Sequence, residues 1–184
     1  MNDFIRAVIG ALAGAVAMFA VALLFWASPL SRLAYSSTGE AQSAAVQVAL
    51  AANLPHTGRY TVPDPSTPGG TTLYGRGPVA TVDYNSRGYS VSSGTTMLGG
   101  FIQEAVGSLL IALSLLAVSS RVTDFSSRFR LALGLSAAAT VTITLSDPIF
   151  AHGPWGFAIY NLIACLAMLA ASSFVIARWF LPRR

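Results

Sequence analysis

Four polar side chains are the residues of this chain best placed to do chemistry. Glu104, Asp147, His152 and Asn161 each fall at or just inside one end of a long apolar segment. A charged side chain costs about 2.5–3.5 kcal/mol at the centre of a membrane, so its presence inside an apolar segment usually indicates a function. One hypothesis is therefore a polar pocket formed by these four residues at the non-cytoplasmic rim of a group of helices.

A structural role is the competing interpretation of the same residues, and the sequence favours it. Glu104 follows Gly99 by five residues, about 7.5 Å along a helix, where water and lipid headgroups still reach a side chain. Asp147 would simply end a helix, because the residue before a proline, here Pro148, disfavours the helical conformation. In this interpretation Glu104 pairs with an arginine of the long loop: Arg59, Arg76 or Arg87.

These residues lack the spacing of a metal site or of a catalytic site. His56, His152, Glu104 and Asp147 include no pair at i, i+3 or i, i+4, the spacing typical of helical metal ligands. A nucleophile elbow for Ser/His/Asp chemistry is also missing. The single cysteine, Cys165, lies within an apolar segment, where we expect a small buried side chain. The sequence predicts no catalytic residue, no metal and no cofactor.

Gly10 and Gly14 are spaced four residues apart in the first apolar segment, among several alanines. This spacing puts small residues on one side of a helix and lets a second helix approach closely in a membrane. We expect that second helix to belong to the same chain rather than to a partner.

The elements that position these residues are four apolar segments. About 20 residues are needed to cross a membrane as a helix, and only the second and third segments must recruit flanking residues to reach that length. The predicted fold is an all-α membrane protein, an antiparallel bundle of four transmembrane helices with a small non-cytoplasmic α+β cap. The helices are predicted at 1–27, 99–120, 129–147 and 155–178, and the cap at 28–98.

Arginine placement predicts the orientation of these helices. The chain has 11 arginines and no lysine, and seven of the arginines flank the predicted helices on one side. Short loops rich in Arg stay in the cytoplasm, so both termini are expected there, in a bacterial inner membrane. The first apolar segment exceeds the 7–15 residues of a signal-peptide core, and we expect it to be retained as a span.

The net charge of +4 does not require a nucleic-acid partner. Arginines beside a membrane interact with anionic headgroups, at about 1 kcal/mol each. No stretch interleaves basic and aromatic residues as nucleic-acid-binding surfaces do. The expected partners are the lipid bilayer and either other membrane subunits or a second copy of the chain.

The predicted cap contains one helix and two strands. Ser37 and Glu40 have the spacing of a capping box before a helix that runs to Asn53. Residues 59–62 and 79–84 are rich in Tyr, Thr and Val, which is typical of strands. With few large aliphatic residues the cap could hardly form its own core, so we expect it to fold against the helices. Thr95 or Thr96 is predicted to cap the second transmembrane helix.

The order of these features resembles that of a loosely defined group of uncharacterised bacterial inner-membrane proteins with four spans. The residues that carry the resemblance are Asn53-Leu54-Pro55, Gly58 and Tyr60, then Gly77-Pro78 and the strand at 79–84. The resemblance implies the architecture alone.

The expected function is that of a non-enzymatic integral membrane protein, a scaffold or accessory subunit of a membrane complex. The alternative is a transporter, or a small-molecule or lipid binder, that uses the pocket of Glu104, Asp147, His152 and Asn161. A membrane enzyme acting on a lipid or a quinone at the same rim is the weakest of the three.

Overall fold

The computed structural model describes residues 2–91 and 93–181 and is mostly helical. It divides into two compact units, one formed by Met1–Tyr35 with Ser93–Arg184 and one by Ser36–Ser92. We refer to them as the helical unit and the loop unit. The helical unit contains α1 (Asp3–Trp26), α4 (Gly94–Ala117), α5 (Phe125–Thr144), α6 (Ser146–Phe150) and α7 (Trp155–Val175).

Four helices are long and apolar enough to cross a membrane, as a multi-pass membrane protein requires. Two are α1 and α4, and two arise because a short helical segment extends a longer one. The segment Phe125–Phe150 combines α5 with α6, and Trp155–Phe180 combines α7 with a π-helical turn at Ile176–Phe180. The third helix, predicted at 129–147, is therefore extended by helical residues at both ends and is long enough to span a membrane.

Side-chain caps determine where these helices begin. The Asn2 side chain accepts a hydrogen bond from the Phe4 amide at 3.1 Å, and the Asp124 side chain accepts one from the Ser127 amide at 2.8 Å. The cap of α4 is Ser93, whose hydroxyl accepts from the amide of Thr96. The prediction that Thr95 or Thr96 caps this helix was wrong by two to three residues, because serine three positions earlier already satisfies the free amide.

The helix-ending role predicted for Asp147 was also wrong. α5 ends at Thr144, and Asp147 lies within α6, which includes Pro148 and continues to Phe150. Pro148 falls in the first turn of α6, where its missing N–H has no partner to lose. A proline there restarts a helix rather than ending one.

Packing within the helical unit is uneven. α1 packs along both α4 and α7, and α5 packs mainly on α7, whereas α4 and α5 make little contact. The largest group of buried apolar residues joins α1, α4 and the end of the α7 segment and includes Ala7, Ala112, Leu115 and Ile176. α1 is therefore the helix on which α4 and α7 assemble, and α5 joins through α7.

Aromatic residues cluster at both ends of the helical unit. At one end Trp26, Phe157 and Tyr160 are in ring contact, and the Tyr160 hydroxyl donates to the Phe25 carbonyl at 2.6 Å. At the other end Phe174 meets Phe125 edge-on. Aromatic rings are enriched where a membrane meets water, so the two clusters are consistent with helices long enough to span one.

The loop unit contains α2 (Glu40–Asn53), β1 (Gly58–Val62), α3 (Gly70–Arg76) and β2 (Ala80–Tyr84). β1 and β2 form an antiparallel pair in which Gly58 faces Tyr84 and Val62 faces Ala80. The helix and both strands agree with the predicted elements.

Two details of the loop unit differ from prediction. The residue that precedes α2 is Gly39, and no side chain caps it, so the capping box of Ser37 and Glu40 does not form. The second is α3, which was not predicted from the sequence and which begins at Gly70. A Cβ at Gly70 would overlap the Asp64 carbonyl and the Thr67 hydroxyl, so only glycine allows this close turn.

Candidate functional site

A line of polar side chains runs through the interior of the helical unit, and we call it the polar seam. Its members come from α4 and α7: Glu104, Ser108, Asn161, Cys165, Ser172 and Ser173. At its centre Ser108 and Ser172, both fully buried, share a hydrogen bond of 2.8 Å. The Ser108 hydroxyl also lies 3.8 Å from the Met18 sulfur of α1, so three helices meet at this point.

Small residues on α1 allow this close meeting. A Cβ at Gly14 would lie 2.7 Å from the Ser172 Oγ, and one at Gly10 would lie 2.5 Å from the Phe180 Cβ. Both glycines therefore face the α7 segment of the same chain. Close approach gives the helices dispersion contacts that replace lipid, and it brings buried hydroxyls within hydrogen-bonding range.

Glu104 occupies the next position of the seam and is only 7% exposed. It lies near Cys165, whose sulfur lies 3.4 Å from the Asn161 Oδ1. Among the described residues, Glu104 makes no hydrogen bond and no ion pair. A carboxylate that is nearly buried normally has such a partner.

Ser173, next to Ser172 in α7, has a buried hydroxyl that finds no hydrogen-bond partner among residues 2–91 and 93–181. It is fully buried one residue beyond Ser172, which is bonded. An unpaired buried hydroxyl costs about 1–3 kcal/mol, so the two adjacent serines should contribute very differently to stability.

Asp147 and His152 lie together elsewhere, in the connection between α5 and α7. The Asp147 carboxylate lies against Gly153, where a Cβ would overlap it, and the Asp147 carbonyl accepts the amide of Gly153 at 3.3 Å. His152 has a left-handed backbone with φ of 54°, which is uncommon for a residue with a side chain. This turn is a compact local structure built around Asp147.

Two pairs can be recognised among the four residues predicted to share one rim pocket, and the shared pocket itself stays a prediction. Glu104 and Asn161 both approach Cys165 in the seam, and Asp147 and His152 belong to the turn before α7. Of the loop arginines suggested as partners for Glu104, Arg59 has its Nε 3.4 Å from Asp83 on the neighbouring strand. This ion pair joins β1 to β2 inside the loop unit.

Arg128 is a residue whose structural position the sequence did not reveal. It is 1% exposed and is the largest fully buried side chain in the described part of the chain. Its Nε donates to the Val122 carbonyl at 2.8 Å, and the nearby Asp124 carboxylate attracts it. The guanidinium therefore ties the link between α4 and α5 to the first turn of α5.

Asp124 itself remains ionised because of its capping role. The Ser127 amide hydrogen bond lowers the pKa of the Asp124 carboxyl below its usual value of 3.8. In the loop unit, the Ser66 hydroxyl and amide lower the pKa of Asp64 in the same way.

Comparisons of the chain with protein-family models, with curated proteins and with solved structures find no match. The geometry described above is therefore the basis for any functional assignment.

Proposed function

We propose that this chain is a non-enzymatic integral membrane protein that serves as a scaffold or accessory subunit of a membrane complex. In this proposal the four long helices form an antiparallel bundle in a bacterial inner membrane, with both termini in the cytoplasm. The loop unit then lies on the non-cytoplasmic side, where it meets a partner protein or a second copy of the chain.

The observation that carries the proposal is the missing core of the loop unit. Among its described residues only Gly70 is buried, and α2 buries none of its 14 residues. Val46 is 56% exposed and Val48 is 69% exposed. An isolated helix of about 12–15 residues is marginal in water, because helices depend on packing of an apolar face. A partner that covers α2 supplies that packing.

Purification from the native membrane in mild detergent tests the proposal. The expected result is a particle that contains a second polypeptide or a second copy of the chain, with slow amide exchange over α2. The substitution Val48→Asp should release the partner and speed that exchange, because Val48 is highly exposed and, unlike Val46, does not line the groove between α2 and β2.

The matched control places the same charge on an exposed polar position of the same helix, Gln42→Asp. It should retain the partner if the apolar side chains of α2 carry the binding. A monomeric particle with no associated protein, whose α2 exchanges at the same rate in all variants, would contradict the proposal.

The seam favours a second candidate, a transporter or small-molecule binder. Its supporting observation is Glu104, a carboxylate that is 7% exposed on a helix able to cross a membrane. Such residues commonly mark proton or substrate pathways. Asn161 and Cys165 would add polar contacts for a ligand beside the carboxylate.

Mass spectrometry of the small molecules retained by the purified protein separates the two candidates. A binder should lose its ligand in Glu104→Gln but keep it in Glu40→Gln, since Glu40 is exposed in the loop unit. Equal retention in both variants would count against the second candidate and leave the first unaffected.

A further inference from the structure

An apolar groove lies where α4 and α5 separate. It has a volume of about 360 Å³ and is lined on α4 by Leu110, Ser114 and Val118 and on α5 by Leu131 and Leu135. Since α4 and α5 make little contact, this side of the helical unit is left unfilled by the chain itself.

The length of the groove limits what can occupy it. Leu110 and Val118 are eight residues apart on α4, or about 12 Å at 1.5 Å per residue. Half of a hydrocarbon core of about 30 Å is about 15 Å. The groove therefore matches one leaflet, which suits a single acyl chain, whereas a partner's transmembrane helix would need a groove along the whole span.

The positive charge at one end of the groove favours a lipid with an anionic headgroup. The link that follows α4 carries Arg121, and its amide donates to the Val118 carbonyl at 3.0 Å, one turn from the groove. Arg128 is buried and bonded to the Val122 carbonyl, so the exposed Arg121 is the arginine placed to meet a headgroup. Together Arg121, Arg128, Arg130 and Asp124 give this end a net charge of +2.

We propose that the groove between α4 and α5 binds one acyl chain of an anionic phospholipid, whose headgroup phosphate is held by Arg121 in the link between the two helices. Basic residues at the end of an interhelical pocket are a common way to bind anionic lipid headgroups. A neutral lipid or a quinone would leave this positive charge without a counterpart. The inference requires the helices to be in a membrane, but it does not depend on the partner proposed for the loop unit.

Electron spin resonance with lipids labelled on the acyl chain tests this inference. The full-length chain is placed in vesicles that contain spin-labelled phosphatidylglycerol or spin-labelled phosphatidylcholine. We expect the protein to immobilise phosphatidylglycerol in preference to phosphatidylcholine by about fivefold, the ratio that corresponds to one arginine at the membrane surface.

Two variants with matched controls locate the binding. Ser114→Phe fills the groove and should abolish the preference, whereas Val141→Phe, a bulky change at an exposed position on another side of α5, should retain it. Arg121→Gln should remove most of the preference, and Arg6→Gln, with the same charge change on α1, should leave it unchanged.

Equal immobilisation of the two lipids by the unmodified protein would overturn the inference. So would a preference that survives Ser114→Phe in a folded protein, as judged by circular dichroism. Recovery of a quinone, a neutral lipid or a second polypeptide from the groove would overturn it as well.

Discussion

Gly10 and Gly14 differ from most other glycines of the long helices in what lies beside them. A Cβ at Gly10 would come within 2.5 Å of the Phe180 Cβ, whereas a Cβ at Gly107 of α4 would meet nothing within 4 Å. Replacing glycine by alanine therefore tests close packing at Gly10, whereas at Gly107 it tests helix propensity alone.

Gly10→Ala is expected to lower the free energy of unfolding by about 1–3 kcal/mol, because the added methyl group forces α1 and the α7 segment apart. Gly107→Ala should be neutral or slightly stabilising, since alanine is the better helix former. Unfolding of the two variants in mixed detergent and denaturant measures the difference. Equal stability would show that α1 does not depend on this contact.

The hydrogen bond between Ser108 and Ser172 gives a second prediction for single residues. A double-mutant cycle of Ser108→Ala and Ser172→Ala should yield a coupling free energy of about 0.6–1.7 kcal/mol, the range of such bonds in membrane proteins. Ser173→Ala is the control, because the Ser173 hydroxyl has no partner to lose. If Ser173→Ala destabilises as much as Ser172→Ala, the assigned bond is wrong.

The sequence indicates which residues could be buried, but not which of them meet. The spacing of Gly10 and Gly14 predicted a closely packed helix, and the structure places both against the α7 segment. Ser108 and Ser172 are 64 residues apart, and nothing in the local pattern of either relates it to the other. Their meeting depends on the rotation of two helices around their axes, which is set by the packing of all three helices together.

At the scale of elements, apolar length predicted the four long helices well and their ends less well. Helix ends depend on single side chains and close turns, so Ser93 begins α4 earlier than expected and Gly70 starts a short helix that was not predicted. The strands β1 and β2 were predicted from their content of Tyr, Thr and Val. The helix through Pro148 could not be foreseen, because it requires the chain to restart a helix directly after α5.

The cap of α5 makes its stability sensitive to acid. Hydrogen bonding lowers the pKa of Asp124 relative to the unfolded chain, so its contribution is present above the ordinary value of 3.8 and is lost as the pH falls through the lower folded value. Thermal unfolding followed by circular dichroism between about pH 7 and about pH 2 should show this loss.

Two substitutions at the same position serve as controls for the acid effect. Asp124→Asn should remove this part of the acid sensitivity while keeping a cap, because asparagine also caps helices well. Asp124→Ala should be less stable than the unmodified protein at neutral pH. An unchanged acid profile in Asp124→Asn would assign the sensitivity to other carboxyl groups.

For the whole molecule, the predicted topology can be tested with the cysteine at position 165. In a Cys165→Ser background, a cysteine introduced by Ser86→Cys in the loop unit should react with an impermeant maleimide added outside intact cells. A cysteine introduced by Ser126→Cys beside the arginine-rich link should react only after the membrane is opened. The reverse pattern would contradict the orientation predicted from arginine placement.

The loop unit gives a second prediction for the whole molecule. A peptide of residues 36–92 should lack the circular dichroism of α2 in water, because no apolar side chain of this unit is buried. Its helix content should rise when a binding partner is added. A stably helical peptide on its own would mean that the unit folds without outside contacts.

The central position of α1 has a consequence for how the protein is made. α1 is synthesised first, yet one of its two main neighbours, α7, is the last long helix to leave the ribosome. At about 5–20 residues per second, the glycine-lined side of α1 waits roughly ten to thirty seconds for that neighbour. During biogenesis this side is open to lipid, to insertion factors and to the quality-control proteases of the cell. Chains truncated before α7 should therefore be degraded rapidly, even though their first helices are intact.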